Sequence, residues 1–378
     1  MTAGFSFDVL RRYPDVEAPN LVAVDASDRL ILDDAAAALA SAPAGTVSVI
    51  GDRYGALTLG AAALHGSRQV RVHQDALSGE QALAANAEAT GLTGTLTSHG
   101  LDRSLLTGAR VVLVQLPRSL DALDEIASLV ATHAHPEVQV FAGGRVKHMS
   151  HGMNDVLARW FTAVDARLAR QKSRVLVASR PRPREATPVP AWPASEVHAD
   201  LGLTVCAHGA AFAGTRIDVG TRYLLGFLDQ MKPDAAVAVD LGCGTGVLAS
   251  ALARARADLH VVATDDSASA VASAVATARA NGVGLRVEVV RDDAAAGLAD
   301  ASADLVVLNP PFHVGATVHS GVAYKLFAAA ARVLRPGGEL WTVWNSHLDY
   351  RPGLERVVGP TRQAGRNPKF TVTVSTKR

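Results

Sequence analysis

Cysteine is almost missing from these 378 residues: only Cys206 and Cys243 occur. Two thiols exclude a disulfide framework and a cysteine-based zinc site, and they suit a reducing compartment such as the cytoplasm. An excess of charge is missing too. Thirty-seven Lys and Arg stand against 36 Asp and Glu, a formal net charge of +1, so any nucleic-acid binding must come from a local patch. A long uncharged run is absent, and Asp8, Arg11 and Arg12 interrupt the start, which points to neither secretion nor a membrane. What is present is 48% hydrophobic and 19% charged residues, enough for a sizeable core. The length exceeds what a single core usually fills, so two domains are expected.

The chain repeats itself. VSVIGDRYGAL, beginning at Val47, resembles AVDLGCGTGVL, beginning at Ala238, and lays Gly51 on Gly242 and Gly55 on Gly246. Both pairs are 191 residues apart (242−51 and 246−55). The same offset matches Asp75 with Asp266 and Gly91 with Gly282. Each half reads as strand, glycine-rich turn, apolar helix, second strand and Ala-rich helix. This alternation predicts two α/β domains with mainly parallel, doubly wound sheets. Five prolines within residues 179–193 exclude helix and central strand there. The expected division is residues 1–180, a linker at 181–197, and residues 198–378.

Chemistry is concentrated in the second half. The strand ending in Asp240 runs into Gly242, Gly244 and Gly246, where the backbone can turn tightly and approach a ligand. Asp265 and Asp266 close the next strand, where a carboxylate can accept ribose hydroxyls. The spacing is GxGxG rather than the dinucleotide GxGxxG. Asp240 beside it would repel a pyrophosphate and suits a cofactor with a cationic amino group, namely S-adenosylmethionine. A further apolar strand delivers Asn309-Pro310-Pro311-Phe312-His313. The Asn309 amide oxygen and the Pro310 carbonyl can accept from an exocyclic amine and aim its lone pair at a sulfonium methyl. Phe312 can stack on a flat base, and His313 is kept as a substrate contact. Histidine pairs at 133/135 and 148/151 lack a matching carboxylate or cysteine, so no metal is expected.

These motifs resemble the class I methyltransferases that make N2-methylguanine in bacterial ribosomal RNA, which carry a degenerate methyltransferase domain ahead of the active one. The resemblance covers the whole chain and includes Phe212, Ile217-Asp218-Val219-Gly220, Asn345 with His347-Leu348-Asp349-Tyr350, and Asn367-Pro368-Lys369-Phe370. The last two stretches look closer to the 23S branch than to the 16S branch. It implies that Asp240 and the three glycines hold the methionine end, Asp265 the ribose, and Asp293 the adenine amine, with Asp292 as a substitute. It further implies that Asn309, Pro310 and Phe312 are the catalytic residues. The family's Phe-Ser-Arg is Phe212-Ala213-Gly214 here, with Arg216 two residues later.

The first half has lost these features. Val49 stands for Asp240, Arg53 for Gly244, Gln74 for Asp265, and Gln115-Leu116-Pro117-Arg118 for the Asn-Pro-Pro-Phe run. This half is expected to bind RNA or to brace the active domain. Arg167, Arg170, Lys172, Arg174, Arg180, Arg182 and Arg184 precede the first acid at Glu185, and Arg180, Arg182 and Arg184 are candidate RNA contacts. The pattern as a whole points to methylation of guanine N2 in ribosomal RNA, 23S before 16S, naked or in a partly assembled subunit. Its rivals are an adenine-N6 or glutamine-amide methyltransferase and a non-catalytic RNA-binding assembly factor.

Overall fold

A computed structural model describes residues 5–18, 20–183, 192–311 and 319–378. Phe312, His313 and Arg184 lie outside the described residues. The chain divides into two compact units, Met1–Trp192 and Pro193–Arg378.

The first unit runs α1 (Ala26–Ser41), β1 (Val47–Ile50), α2 (Ala56–His65), β2 (Val70–His73), α3 (Leu77–Ala89), β3 (Leu96–Ser98), α4 (Arg103–Leu106), β4 (Val111–Gln115), α5 (Leu120–His133), β5 (Gln139–Arg145), α6 (His151–Trp160), β6 (Phe161–Ala166) and β7 (Ser173–Pro181). Its sheet has the order β3-β2-β1-β4-β5-β7-β6. The first five strands are parallel, and β7 enters antiparallel to both neighbours. The central strands are unbroken apolar runs, as strands buried on both faces require. Asp25 starts α1 through a capping box with Asp28, which satisfies amide donors that the first helical turn leaves open.

The second unit begins with a hairpin of β8 (Ala194–His198) and β9 (Leu203–Ala207). It continues α7 (Val219–Leu225), β10 (Val237–Leu241), α8 (Val247–Ala255), β11 (His260–Asp265), α9 (Ala268–Ala280), β12 (Val287–Arg291), β13 (Ala303–Leu308), α10 (His319–Val333), β14 (Leu334–Asn345), α11 (Arg351–Val357), β15 (Thr361–Arg366) and β16 (Phe370–Thr376). The order β12-β11-β10-β13-β14-β16-β15 reproduces the first sheet strand for strand. Alternate residues of β10 and β11 face opposite layers, because side chains alternate across a strand. Ala238, Val261 and Ala263 pack with Leu252 of α8 and Ala274 of α9, whereas Val239, Leu241 and Val262 pack with Phe327 of α10 and Leu354 of α11. Both sheets are mixed and mostly parallel, and the fold is two tandem Rossmann-like domains.

The expected linker at 181–197 is shorter than the sequence suggested, because strands occupy both of its ends. Pro181 is the last residue of β7, opposite Phe161, where a missing N–H does not interrupt a ladder. Residues 194–197 pair with β9.

Candidate active site

The glycine turn follows β10 directly. Gly242, Gly244 and Gly246 have φ of +73°, +53° and +73°, in the left-handed region that favours glycine. Their surroundings differ. A Cβ on Gly242 or Gly244 would meet nothing within 4 Å, whereas one on Gly246 would lie 2.9 Å from the Ala274 Cα. Two of the glycines therefore border open space and the third lets α8 pack on α9.

Asp240 is buried, and its Oδ2 accepts from the Ala249 N–H of α8 at 2.9 Å. Burial, reinforced by the charge of Asp265, pushes its carboxyl up to about 7. The residue expected at the methionine end is thus also a helix cap. Asp265 turns toward the same loop, with Oδ2 accepting from Gly244 N–H and Oδ1 from Ser267 N–H, both at 2.9 Å. Asp293 forms an ion pair with Lys325 of α10, its two oxygens 2.6 and 2.5 Å from Nζ. Its neighbour Asp292 accepts from the Ala296 and Gly297 N–H groups, each at 2.8 Å. Cys243 is buried with its thiol pushed well above the usual range, chiefly by burial and then by Asp240 and Asp265. It is packing, and no nucleophile.

Asn309 follows the last residue of β13, at the carboxyl edge of the sheet. Its Nδ2 donates to Asp218 Oδ2 and to Thr221 Oγ1, each at 2.9 Å. A carboxylate only accepts, so the amide nitrogen is compelled to face Asp218 and the oxygen to face away. That oxygen, Oδ1, is buried and has no hydrogen-bond partner among the described residues. Asp218 also caps α7 by accepting from Gly220 and Thr221 N–H. The sequence reading included Asp218 in a motif but gave it no role, and it missed Thr221 and Lys325. The signal available for the first two was an Asp followed by a helical stretch, which marks an N-cap. Pro310 is buried beside Asn309.

The first half keeps the scaffold and loses the cradle. Arg53 adopts φ +61°, the conformation of Gly244, and places a long side chain where the second half has open space. Gln74 Nε2 donates to the Arg53 carbonyl at 2.9 Å, in the position where Asp265 accepts from Gly244. With Val49 in place of Asp240, the capping of α2 passes to Asp52, whose two oxygens accept from Leu57 and Thr58 N–H at 2.7 and 2.8 Å. Gln115 donates through Nε2 to Ser27 Oγ at 3.0 Å and to Asp28 Oδ1, much as Asn309 donates to Asp218 and Thr221.

The basic run is less free than its sequence suggests. Arg167 pairs with Asp165, and Arg170 with Asp34. Arg182 donates from Nε to the Ala158 carbonyl at 3.0 Å, and Arg180 is exposed on β7. Asp34, 136 residues from Arg170, was invisible to a reading of neighbouring charges.

The site fits a cationic nucleoside cofactor: open space beside two left-handed glycines is flanked by the carboxylates of Asp240 and Asp265. Comparison with known proteins gives the same answer over the whole chain. Residues 2–182 match the RLMG N-terminal domain family, and residues 202–374 match the Methyltransferase small domain family. A ribosomal RNA large subunit methyltransferase G from Streptomyces coelicolor is 36% identical, with 100% of both chains covered. One from Pseudomonas aeruginosa (strain UCBPP-PA14) is 36% identical over 96% of each. The chain belongs to the ribosomal RNA large subunit methyltransferase G family. Membership of the methyltransferase G family makes it an S-adenosylmethionine-dependent ribosomal RNA methyltransferase. Among solved structures, the T. thermophilus 16S rRNA N2 methyltransferase RsmC, in complex with AdoMet and guanosine, superposes with a TM-score of 0.74 at 22% identity. That match covers 94% of this chain and 92% of the other, and it shows that the tandem fold is shared. Among the described residues no helix is long and apolar enough to cross a membrane, and no three His, Cys, Asp or Glu side chains converge as a metal site.

Proposed function

We propose that this chain methylates the exocyclic N2 of a guanine in 23S ribosomal RNA, in the cytoplasm, and that Asn309 is its catalytic residue. The observation that carries the reading is the buried Oδ1 of Asn309, which has no hydrogen-bond partner among the described residues and whose direction is fixed by Asp218 and Thr221. A buried acceptor left unpaired is unfavourable by roughly 1–3 kcal/mol, a deficit that an N–H from the substrate removes. Names of the relatives support the large-subunit RNA, and the structural neighbour's bound guanosine supports the base.

S-adenosylmethionine supplies a sulfonium methyl as the electrophile. Asp240, Gly242, Gly244 and Gly246 would hold its methionine end and Asp265 its ribose, while Asp293 or Asp292 would face the adenine. Oδ1 of Asn309 and the carbonyl of Pro310 would accept the two amine hydrogens, which turns the nitrogen lone pair away from the ring and toward the methyl. Phe312 would stack on the base, with His313 alongside. No side chain needs to remove a proton beforehand, because the methylated amine sheds its proton to solvent afterwards. The remaining contribution is orientation, which accelerates such displacements strongly. The target base must be unpaired or flipped out to reach this edge. Arg180, Arg182 and Arg184 would meet the RNA backbone.

The deciding experiment incubates the protein with labelled cofactor and separate unmodified 16S and 23S RNAs, then identifies the labelled nucleoside by mass spectrometry. N2-methylguanosine from 23S RNA is expected. Label in 16S RNA or on adenine N6 would replace the acceptor, and binding without transfer would replace the enzyme by an assembly factor.

A further inference from the structure

In the first unit, the carboxyl ends of β1, β4 and β5 surround a cavity of about 150 Å³. This is the edge at which doubly wound sheets bind their ligands, and in the second unit the same edge carries the glycine turn and Asn309. Its chemistry has been inverted. Arg53 comes from the turn after β1, Arg118 from the loop after β4, and Arg145, Lys147 and His148 from the end of β5 and the residues beyond it. Four permanent cations thus face one lining carboxylate, Asp25, which caps α1 and lies 3.7 Å from Arg145. Arg53, Arg118 and Lys147 are exposed and form no ion pair among the described residues.

A nucleoside cofactor is a poor fit for this cavity. Arg53 occupies the turn at φ +61°, and Gln74 stands where the second unit has Asp265. A small, strongly anionic group fits. We propose that this vestigial active-site cavity is a phosphate-binding site, and that the phosphate it takes belongs to the backbone of the RNA substrate. The proposal rests on the reading that the chain acts on ribosomal RNA. His148 is consistent with a concentrated positive field: its imidazole is held below the usual range by desolvation first, and then by Arg118, Lys147, Arg53 and Arg145. The duplicated half has exchanged a site for a cationic cofactor for one that anchors a polyanion.

The test uses the full-length double variant Arg118→Glu/Lys147→Glu, whose exposed side chains leave the fold intact by thermal melting. Binding of a 23S RNA fragment is measured between 50 and 300 mM KCl, values on the order of those over which phosphate contacts are resolved. The variant should bind at least about tenfold more weakly at low salt. Its log K against log salt slope should fall by about 1–2, the value for one or two lost phosphate contacts. S-adenosylmethionine affinity by calorimetry should not change. RNA affinity and slope equal to wild type would overturn the proposal. So would inorganic phosphate that stabilises the wild type but not the variant while RNA binding stays equal, since the site would then serve a free anion. Wild-type protein that neither binds nor methylates ribosomal RNA would remove the parent reading as well, an outcome distinct from a wild type that methylates and a variant that binds normally.

Discussion

Asp218 fixes Asn309. The carboxylate Oδ2 lies 2.9 Å from the Asn309 amide nitrogen while also capping α7 through Gly220 and Thr221. One oxygen thus ties the start of a helix to the end of β13, and the direction of the Asn309 amide follows from the helix's own need for a cap. The first unit repeats the device with Gln115 on the first turn of α1. The arrangement is common to both units, whose remaining residues at this edge differ in chemistry.

Removing the acceptor and removing its support should give different signatures. Asn309→Ala should lower kcat by orders of magnitude, with RNA and cofactor affinities nearly unchanged. Asp218→Ala should lower kcat by roughly ten- to hundredfold, the scale of a modest misplacement, and should reduce stability by about 1 kcal/mol through the lost cap. Asp218→Asn, which retains capping ability, should restore the melting temperature but only part of kcat. Steady-state kinetics with thermal melts of the three variants check this; equal kcat losses in Asp218→Ala and Asp218→Asn alongside unequal stability would sever the link between cap and catalysis.

The glycines separate into two classes. Gly246→Ala places a methyl 2.9 Å from the Ala274 backbone at φ +73°, so α8 and α9 must move apart. The melting temperature should drop by several degrees, in line with overpacking of about 1–3 kcal/mol. Gly242→Ala meets open space and incurs mainly the left-handed strain of about 1–2 kcal/mol. Its larger effect should be on cofactor affinity measured by calorimetry.

Arg53 offers a substitution that the molecule has already made. Because Arg53 and Gly244 share φ near +60°, at +61° and +53°, Gly244→Arg should fold with a melting temperature within a few degrees of wild type. Cofactor binding should be lost entirely, because the guanidinium stem enters the space the glycine leaves. The reciprocal change, Arg53→Gly, should not create cofactor binding, since Val49 and Gln74 still replace both carboxylates. Calorimetric titration of the two variants with S-adenosylmethionine decides it.

How much of this was legible in the sequence follows from sequence distance. The glycine turn and the strand-end aspartates are local: Gly242, Gly244 and Gly246 sit within five residues, and their backbone needs are written in the residue type. The repeat was legible for the same reason, since Gly91 and Gly282 both end a helix with φ +70°. Asn309 stood out as a residue, but its partners lie 91 and 88 positions away, and no periodicity encodes which helix start will face which strand end. The same gap hid Asp34 from Arg170, 136 residues apart, so the basic run looked freer than it is. The end of β7 was hidden for another reason: the proline at its last residue reads as linker until its ladder is seen.

Asp240 supplies a prediction in pH. Burial raises its carboxyl from an ordinary 3.8 to about 7, so the folded state favours the protonated form and the unfolded state ionises first. Between about pH 4 and 7 the unfolded chain therefore holds fewer protons at this position, and rising pH reduces stability. The penalty is complete above pH 7 and absent below pH 4. Asp240→Asn keeps an oxygen for the Ala249 N–H and carries no charge. It should melt at or above the wild-type temperature at pH 8 and lose that advantage at pH 4. Cofactor affinity should move the other way. In the wild type it should strengthen as pH rises through 7, because an ionised Asp240 attracts the cofactor's ammonium group, while Asp240→Asn should bind weakly at every pH. Melting curves and calorimetric titrations from pH 4 to 8 test both arms, and a pH-independent difference in stability would show that Asp240 is ionised throughout.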